Sequence, residues 1–113
     1  MTNKSKKILS EISAGELLDK ISILEIKLDK IKDESNQKEI TKEYNILQEV
    51  KKLNIKTTSE IENLFREIKK VNIDLWLIED KIRIFEKNKD FGQTFINLAR
   101  SVYVNNDKRA KIK

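Results

Sequence analysis

Apolar residues recur along most of the chain at alternating spacings of four and three, the pattern of helices that pack against helices. Leu17, Ile21, Leu24, Leu28 and Ile31 form the first seam. Leu18, Ile23 and Ile26 widen it, so the helix that carries them is expected to have more than one neighbour. Its start is marked by Ser13-Ala14-Gly15-Glu16, a capping box in which the Ser hydroxyl accepts a backbone N–H and Glu16 reaches back. Ile12 stands where a hydrophobic staple would meet Leu17. The helix is predicted to fade near Asp33, with Glu34 to Gln37 as a short polar connection.

A second helix follows to about Leu53, on the seam Ile40, Tyr44, Leu47, Val50 and Leu53. The short connection makes the two helices antiparallel, with Leu28 near Ile40 or Tyr44 and Ile21 near Val50. Polar and β-branched residues from Lys56 to Ser59 break the pattern. Ser59-Glu60-Ile61-Glu62 then reads as a second capping box. It opens the longest helix, to about Lys87 and roughly 45 Å long at about 1.5 Å per residue. One stripe runs from Ile61 to Phe85, and a second, Ile73, Trp76, Leu77 and Ile84, appears only in the later half. Apolar on two faces, that half is expected to be the middle of the core or of a subunit interface. Asn88-Lys89-Asp90 ends it, and Asp90 is placed to cap a fourth helix carrying Phe91, Phe95, Ile96, Leu98, Ala99, Val102 and Tyr103. Past Val104 the chain is polar and basic and is expected to fray.

These elements add up to an all-α protein: an antiparallel up-and-down bundle of about four helices with coiled-coil-like packing, in one domain over residues 13–113. Residues 1–12 read as a basic arm, either mobile or laid across the bundle through Ile8, Leu9 and Ile12.

Composition narrows the chemistry. The 113 residues include no Pro, Cys or His and only 2 Gly, which argues against a sheet protein and against a disulfide framework. Without His or Cys the Ser–His–Asp and Cys–His arrangements are excluded, and a zinc site would need carboxylates alone. A di-metal carboxylate bundle normally adds Glu-x-x-His motifs, so no metal and no cofactor are expected. The formal charge of +5 comes from 20 Lys and 4 Arg mixed with 19 acids. Arg reads phosphates and base edges better than Lys, so weak nucleic-acid binding is the least favoured reading. No apolar run approaches the length of a membrane span and no signal-peptide core follows the basic start, which leaves the cytoplasm as the expected compartment.

Two stretches carry a resemblance. Ser13 to Lys27 reads SAGELLDKISILEIK, and Leu75 to Arg83 reads LWLIEDKIR, followed by Phe95 to Tyr103 and by Asn106-Asp107-Lys108-Arg109-Ala110. Together they resemble the opening S-P-G-E-L-I-D-K-I-T-I-L-E-I-K and the closing motifs of a small bacterial and phage family of helical proteins of unknown function. Ser35 to Asn72 is the variable middle. The chain departs from the family pattern at Ala14, where Pro is usual, and relatives continue past the Arg109-Ala110 step. The resemblance implies one helical unit. It also implies relatives that occur near genes for surface-polysaccharide glycosyltransferases.

The densest polar group lies on the last two helices. A hairpin turning near residue 90 places Asp80 opposite Arg100, Trp76 opposite Tyr103 or Val104, and Asn72 opposite Asp107. Asp80 or Glu79 with Arg100 is expected to be a structural ion pair that fixes register, so Asp80→Ala is expected to cost stability; the alternative is a pocket wall for an anionic or polar ligand. Asp80, Arg83, Arg100, Tyr103, Asn106, Asp107 and Arg109 form the candidate binding patch, and Ile73, Trp76, Leu77 and Ile84 the candidate interface. The glutamates of the other helices read as solvated faces, and Trp76 as a packing residue. The function expected is non-enzymatic: a helical interaction or adaptor protein, homo-oligomeric and dimeric by preference, with a possible protein partner. Alternatives are an accessory or small-ligand-binding subunit of surface-polysaccharide enzymes, and the weak nucleic-acid binder.

Overall fold

The computed structural model describes residues 7–113. It is all-α, with no strand among the described residues: α1 Ala14–Lys30, α2 Glu34–Asn54, α3 Ser59–Lys87 and α4 Gln93–Ile112. Successive helices run up and down. Along the α1–α2 hairpin, the Leu28 carbonyl accepts from Gln37 Nε2 at 2.9 Å while Glu25 meets Tyr44 further from the turn, so the two are antiparallel. Leu18 lies by Ile68, Ser22 binds Asn72 and Ile26 lies by Leu75, the same order along both helices, so α1 and α3 are parallel. α4 folds back along α3 through residues 88–92.

Each helix start has a local cause. Ser13 Oγ accepts from Glu16 N at 3.1 Å and caps α1. Glu16 does not complete the box, because its carboxylate takes Lys113 Nζ at 2.7 Å instead. Asp33 caps α2, accepting from Asn36 N and Ser35 Oγ, so the polar run from Glu34 to Gln37 is the first turn of a helix rather than a connection. Gln37 also donates to the Ile31 carbonyl at 2.6 Å, closing the open carbonyl end of α1. Thr58, not Ser59, caps α3 through Ile61 N. α3 stops in a Schellman motif: Asp90 N donates to Phe85 O and Lys89 N to Glu86 O, with Lys89 at φ 54° in the left-handed region that Gly usually fills. α4 starts at Gly92 without a side-chain cap, and the Asp90 carboxylate accepts from Gly92 N at 3.4 Å.

The core centres on α1. Leu17, Leu18, Ile21, Leu24 and Ile26 are buried there, against Ile68, Val71 and Leu75 of α3. α2 and α4 have no fully buried residue. The two-sided apolar pattern of α1 thus serves its several neighbours, as its sequence implies. The later half of α3 does not become the core. Ile73 and Trp76 are half-buried, and Leu77 and Ile84 are exposed. Length explains this: α1 has 17 residues and α3 has 29, so the turn end of the α3–α4 hairpin runs beyond its cover. The radius of gyration, 16.6 Å, exceeds the about 13 Å of a compact chain of this size.

Val50 and Leu53, assigned to the α2 seam, are exposed, the latter at 79%. Of the expected arm, residues 1–6 lie outside the described residues. Ile8, Leu9 and Ile12 are exposed, so its described part does not lie on the bundle through them. The chain end does not fray. α4 stays helical to Ile112, and the Lys113 backbone seats on α1 at Gly15.

A Cβ at Gly15 would lie 2.6 Å from Lys113 O and 2.9 Å from its Cα. Helix propensity alone favours Ala over Gly by about 0.5–1 kcal/mol. Gly15→Ala is nevertheless expected to destabilise by about 1–2 kcal/mol through overpacking, seen as a lower melting temperature by circular dichroism. A gain in stability would show that the chain end does not dock there.

Candidate functional site

Asp19 lies on the buried side of α1, at 2% exposure. An ionised carboxylate in such a place costs several kcal/mol unless its oxygens are bonded. Four donor contacts meet it. Arg109 donates through Nε to Oδ1 at 2.9 Å and through Nη2 to Oδ2 at 2.5 Å, a two-pronged fit to the carboxylate plane. Asn72 Nδ2 donates to Oδ1 at 2.8 Å, and Lys113 Nζ stands 3.3 Å from Oδ2. Ser22, one turn along α1, accepts from Asn72 Nδ2 at 2.8 Å and donates to the Asp19 carbonyl at 2.7 Å. No buried side-chain nitrogen or oxygen among the described residues lacks a partner.

Burial pushes the Asp19 carboxyl up, but the bonds from Arg109 and Asn72 and the charges of Arg109 and Lys113 outweigh it and hold the carboxyl below its ordinary range. Arg109 is raised by its bond to Asp19. Lys113 is raised first by Glu16 and then by Asp19. A second bridge crosses α1 nearer its C-terminus: Gln48 donates to the Tyr44 hydroxyl, Tyr44 to Glu25, and Lys69 Nζ bonds Glu25 at 2.7 Å. Burial, and then its bond to Glu25, push the Tyr44 hydroxyl up against the opposing bond from Gln48.

Beside the Asp19 cluster, where α1, α3 and α4 meet, lies a cleft of about 150 Å³. Ile23 and Ile26 of α1 and Leu75 of α3 give it an apolar lining. Asn72, Trp76 and Glu79 line it from α3, one face at spacings of four and three, and Asn106 and Arg109 line it from α4. A second, apolar cavity of about 180 Å³ lies between the start of α1, the first half of α3 and the chain end. Among the described residues no group of three or more acidic side chains is placed to hold a metal ion, and no helix is long and apolar enough to cross a membrane.

The sequence-derived patch divides. Arg109 is the partner of the buried carboxylate, and Asn106 accepts from its Nη1 at 3.4 Å. Asp80 does not meet Arg100. It pairs with Arg83 one turn along α3 at 3.1 Å, both side chains more than half exposed. Arg83 also lies 3.9 Å from Glu79. Arg100 is exposed and makes no ion pair among the described residues; Tyr103 and Asp107 are exposed too. The expected register pair of Asp80 or Glu79 with Arg100 is not formed; the buried ion pair joins Asp19 of α1 to Arg109 of α4. Asp80 was singled out for its apolar surroundings on a helix that turns out to overhang. Asp19 and Ser22 are not among the sequence-derived candidates, and Asn72, expected opposite Asp107, bonds Asp19 instead; the signal of all three is polarity set among the buried positions Leu18, Ile21 and Val71.

The family model described as Family of unknown function (DUF6165) matches residues 8–113, and the chain belongs to that family. Neither the curated proteins nor the solved structures include a match. The two stretches that carry the resemblance meet in the fold, since Asp19 stands in the opening one and Arg109 in the closing one.

Arg109→Ala strands a buried carboxylate and is expected to cost about 3–5 kcal/mol, a fall in melting temperature of roughly 10 °C or more. Asp80→Ala removes only an exposed pair and is expected to cost no more than about 0.5 kcal/mol. Equal effects of the two would contradict this assignment. Because the Asp19 carboxyl is lower in the folded protein, its contribution is complete above its unfolded value of about 3.9 and is lost as pH falls through the folded one. Asp19→Asn is therefore expected to be less stable at neutral pH and to lose less on acidification, as read by urea unfolding at a series of pH values.

Proposed function

We propose that this member of a family of unknown function is a non-enzymatic helical interaction protein that pairs with a second copy of itself through the outer face of α3. The observation that carries this reading is the apolar surface left by the overhanging hairpin. Leu77 is 45% exposed and Ile84 58%, seven residues apart on one helix face. With Ile73 and Asp80 they make spacings of four, three and four, a seam of the kind that packs helix on helix.

The charges beside the seam favour a copy of the same chain over an unrelated partner. Glu79, Asp80 and Arg83 cluster on the same turns of α3, with Arg83 more than half exposed. A two-fold antiparallel pairing sets each Arg83 against the acidic pair of the other copy, which is self-complementary, as a two-fold interface must be. A chain without His or Cys, and with its most buried carboxylate already neutralised by Arg109, offers little for catalysis. The steps from interface to adaptor role, and to any enzyme of surface-polysaccharide synthesis, depend on what the dimer presents.

Light scattering at about 100 µM is expected to give the mass of a dimer, within the range of a micromolar Kd. The double substitution Leu77→Glu and Ile84→Glu is expected to give a monomer with unchanged helix content. A wild-type monomer at that concentration, or a dimer that survives both substitutions, would overturn the proposal.

A further inference from the structure

The cleft between α1, α3 and α4 has polarity as well as shape. Asn72 is 6% exposed, and its amide orientation is fixed, because Nδ2 must face the Asp19 carboxylate to which it donates. Its Oδ1 therefore points away from Asp19. That oxygen takes no hydrogen bond from the described residues and is not sealed from solvent, and Asn72 lines the cleft. Seven residues along α3, Glu79 adds a carboxylate to the same wall, 3.9 Å from Arg83. The α3 wall is thus one of acceptors.

The α4 side, whose Arg109 meets Asn72 on the same Asp19 oxygen, is one of donors. Arg109 spends Nε and Nη2 on Asp19, which leaves Nη1, bonded only at 3.4 Å to Asn106 Oδ1. That bond uses Asn106 Oδ1, and its Nδ2 donates to no group among the described residues. Between the walls lie Trp76 and an apolar lining.

We propose that this cleft binds a small zwitterion of the size of a free α-amino acid, with its carboxylate toward Arg109 and Asn106 and its ammonium toward Asn72 and Glu79. A neutral polyol would make no charge-assisted bond to Arg109 Nη1 or to Glu79. A simple anion would meet Glu79, and a simple cation would meet Arg109. Size limits the ligand as well. About 150 Å³ is half the lower bound of about 300 Å³ for drug-sized sites and holds about five waters. The inference does not rest on the dimer proposal, since the cleft is formed within one chain; the two share Glu79, so Glu79→Gln is read by ligand affinity and by light-scattering mass together.

Trp76 is the only Trp, so its fluorescence reports the cleft directly. Titration of the full chain with each of the common free amino acids is expected to give a saturable change for at least one, at a Kd of about 1 mM or tighter, with a rise in melting temperature. Its N-acetyl derivative, which lacks the ammonium, and its amide, which lacks the carboxylate, are each expected to bind at least about tenfold more weakly. Glu79→Gln touches neither Asp19 nor its donors and is expected to keep the melting temperature of the free protein while losing at least about tenfold in affinity; Asn106→Asp, at the residue that accepts from Arg109 Nη1, sets a second carboxylate on the anion-binding side and is expected to lose at least as much. The proposal is overturned by the absence of a saturable change with every amino acid. Blocked analogues that bind as well as the parent, or a response confined to a neutral polyol, would overturn it equally.

Discussion

A carboxylate set on the buried side of the first helix constrains how the last helix can end. Asp19 cannot stay ionised in that position unless donors reach it, and α1 itself supplies none, because the N–H groups beside it are already committed to the helix. Asn72 of α3 supplies one, and the charged donors come from α4 and the residue after it. Arg109 lies ninety positions away and Lys113 beyond it, so the bonds that neutralise Asp19 also tie α4 back to α1 across most of the sequence. Two further features serve the same closure. Gly15 lets the α4 backbone approach α1, and Glu16 gives up its capping role to hold Lys113.

That constraint explains what the amino-acid pattern conveyed and what it did not. Helix number, order and direction were legible, because apolar spacing over whole seams such as Leu17 to Ile31 records the helical period directly. Helix starts were legible to within a few residues, and the errors at α2 and α3 share a cause. Asp33 and Thr58 outcompete the expected starts because each places an oxygen on a free N–H of the first turn, and several neighbouring polar residues looked equally able to do so. Burial was less legible. Periodicity shows that a face is apolar but not what covers it, and cover depends on relative length. Ile84 and Ile21 look alike in sequence; one lies past the end of its neighbour and the other is sealed among several. The register pair was misplaced for the same reason. A two-faced apolar helix seemed to bury Asp80, whereas the deeply buried carboxylate belongs to the shorter helix with more neighbours.

The division between a sealed end and an overhanging end organises the molecule. At the sealed end α1, α3 and α4 converge on Asp19, and the lower half of α2 joins through Tyr44, Glu25 and Lys69. At the other, the α3–α4 hairpin continues on its own packing, with the Phe91–Phe95 edge-to-face contact near its turn. Fold stability and exposed apolar surface are thereby placed on different parts of the same long helix. A substitution on the outer face of α3 leaves the Asp19 bonds untouched, so surface and core are free to change independently.

The two ends meet their limit at Arg109, whose guanidinium faces two ways. Its Nε and Nη2 edge matches the planar carboxylate of Asp19, a fit that a lysine ammonium cannot reproduce. Its Nη1 lies toward Asn106 on the α4 wall of the cleft. The structural use fixes the group so firmly that the remaining N–H is held in position without further support, which is what a recognition site requires of its donors. A bound anion at Nη1 would find a guanidinium already partly neutralised by Asp19, so its attraction would be weak and its selectivity would come from the pairing of donors on one wall with acceptors on the other. That favours a ligand carrying both charges at short separation over one carrying a single strong charge, and it follows from the same bond that holds the chain end in place.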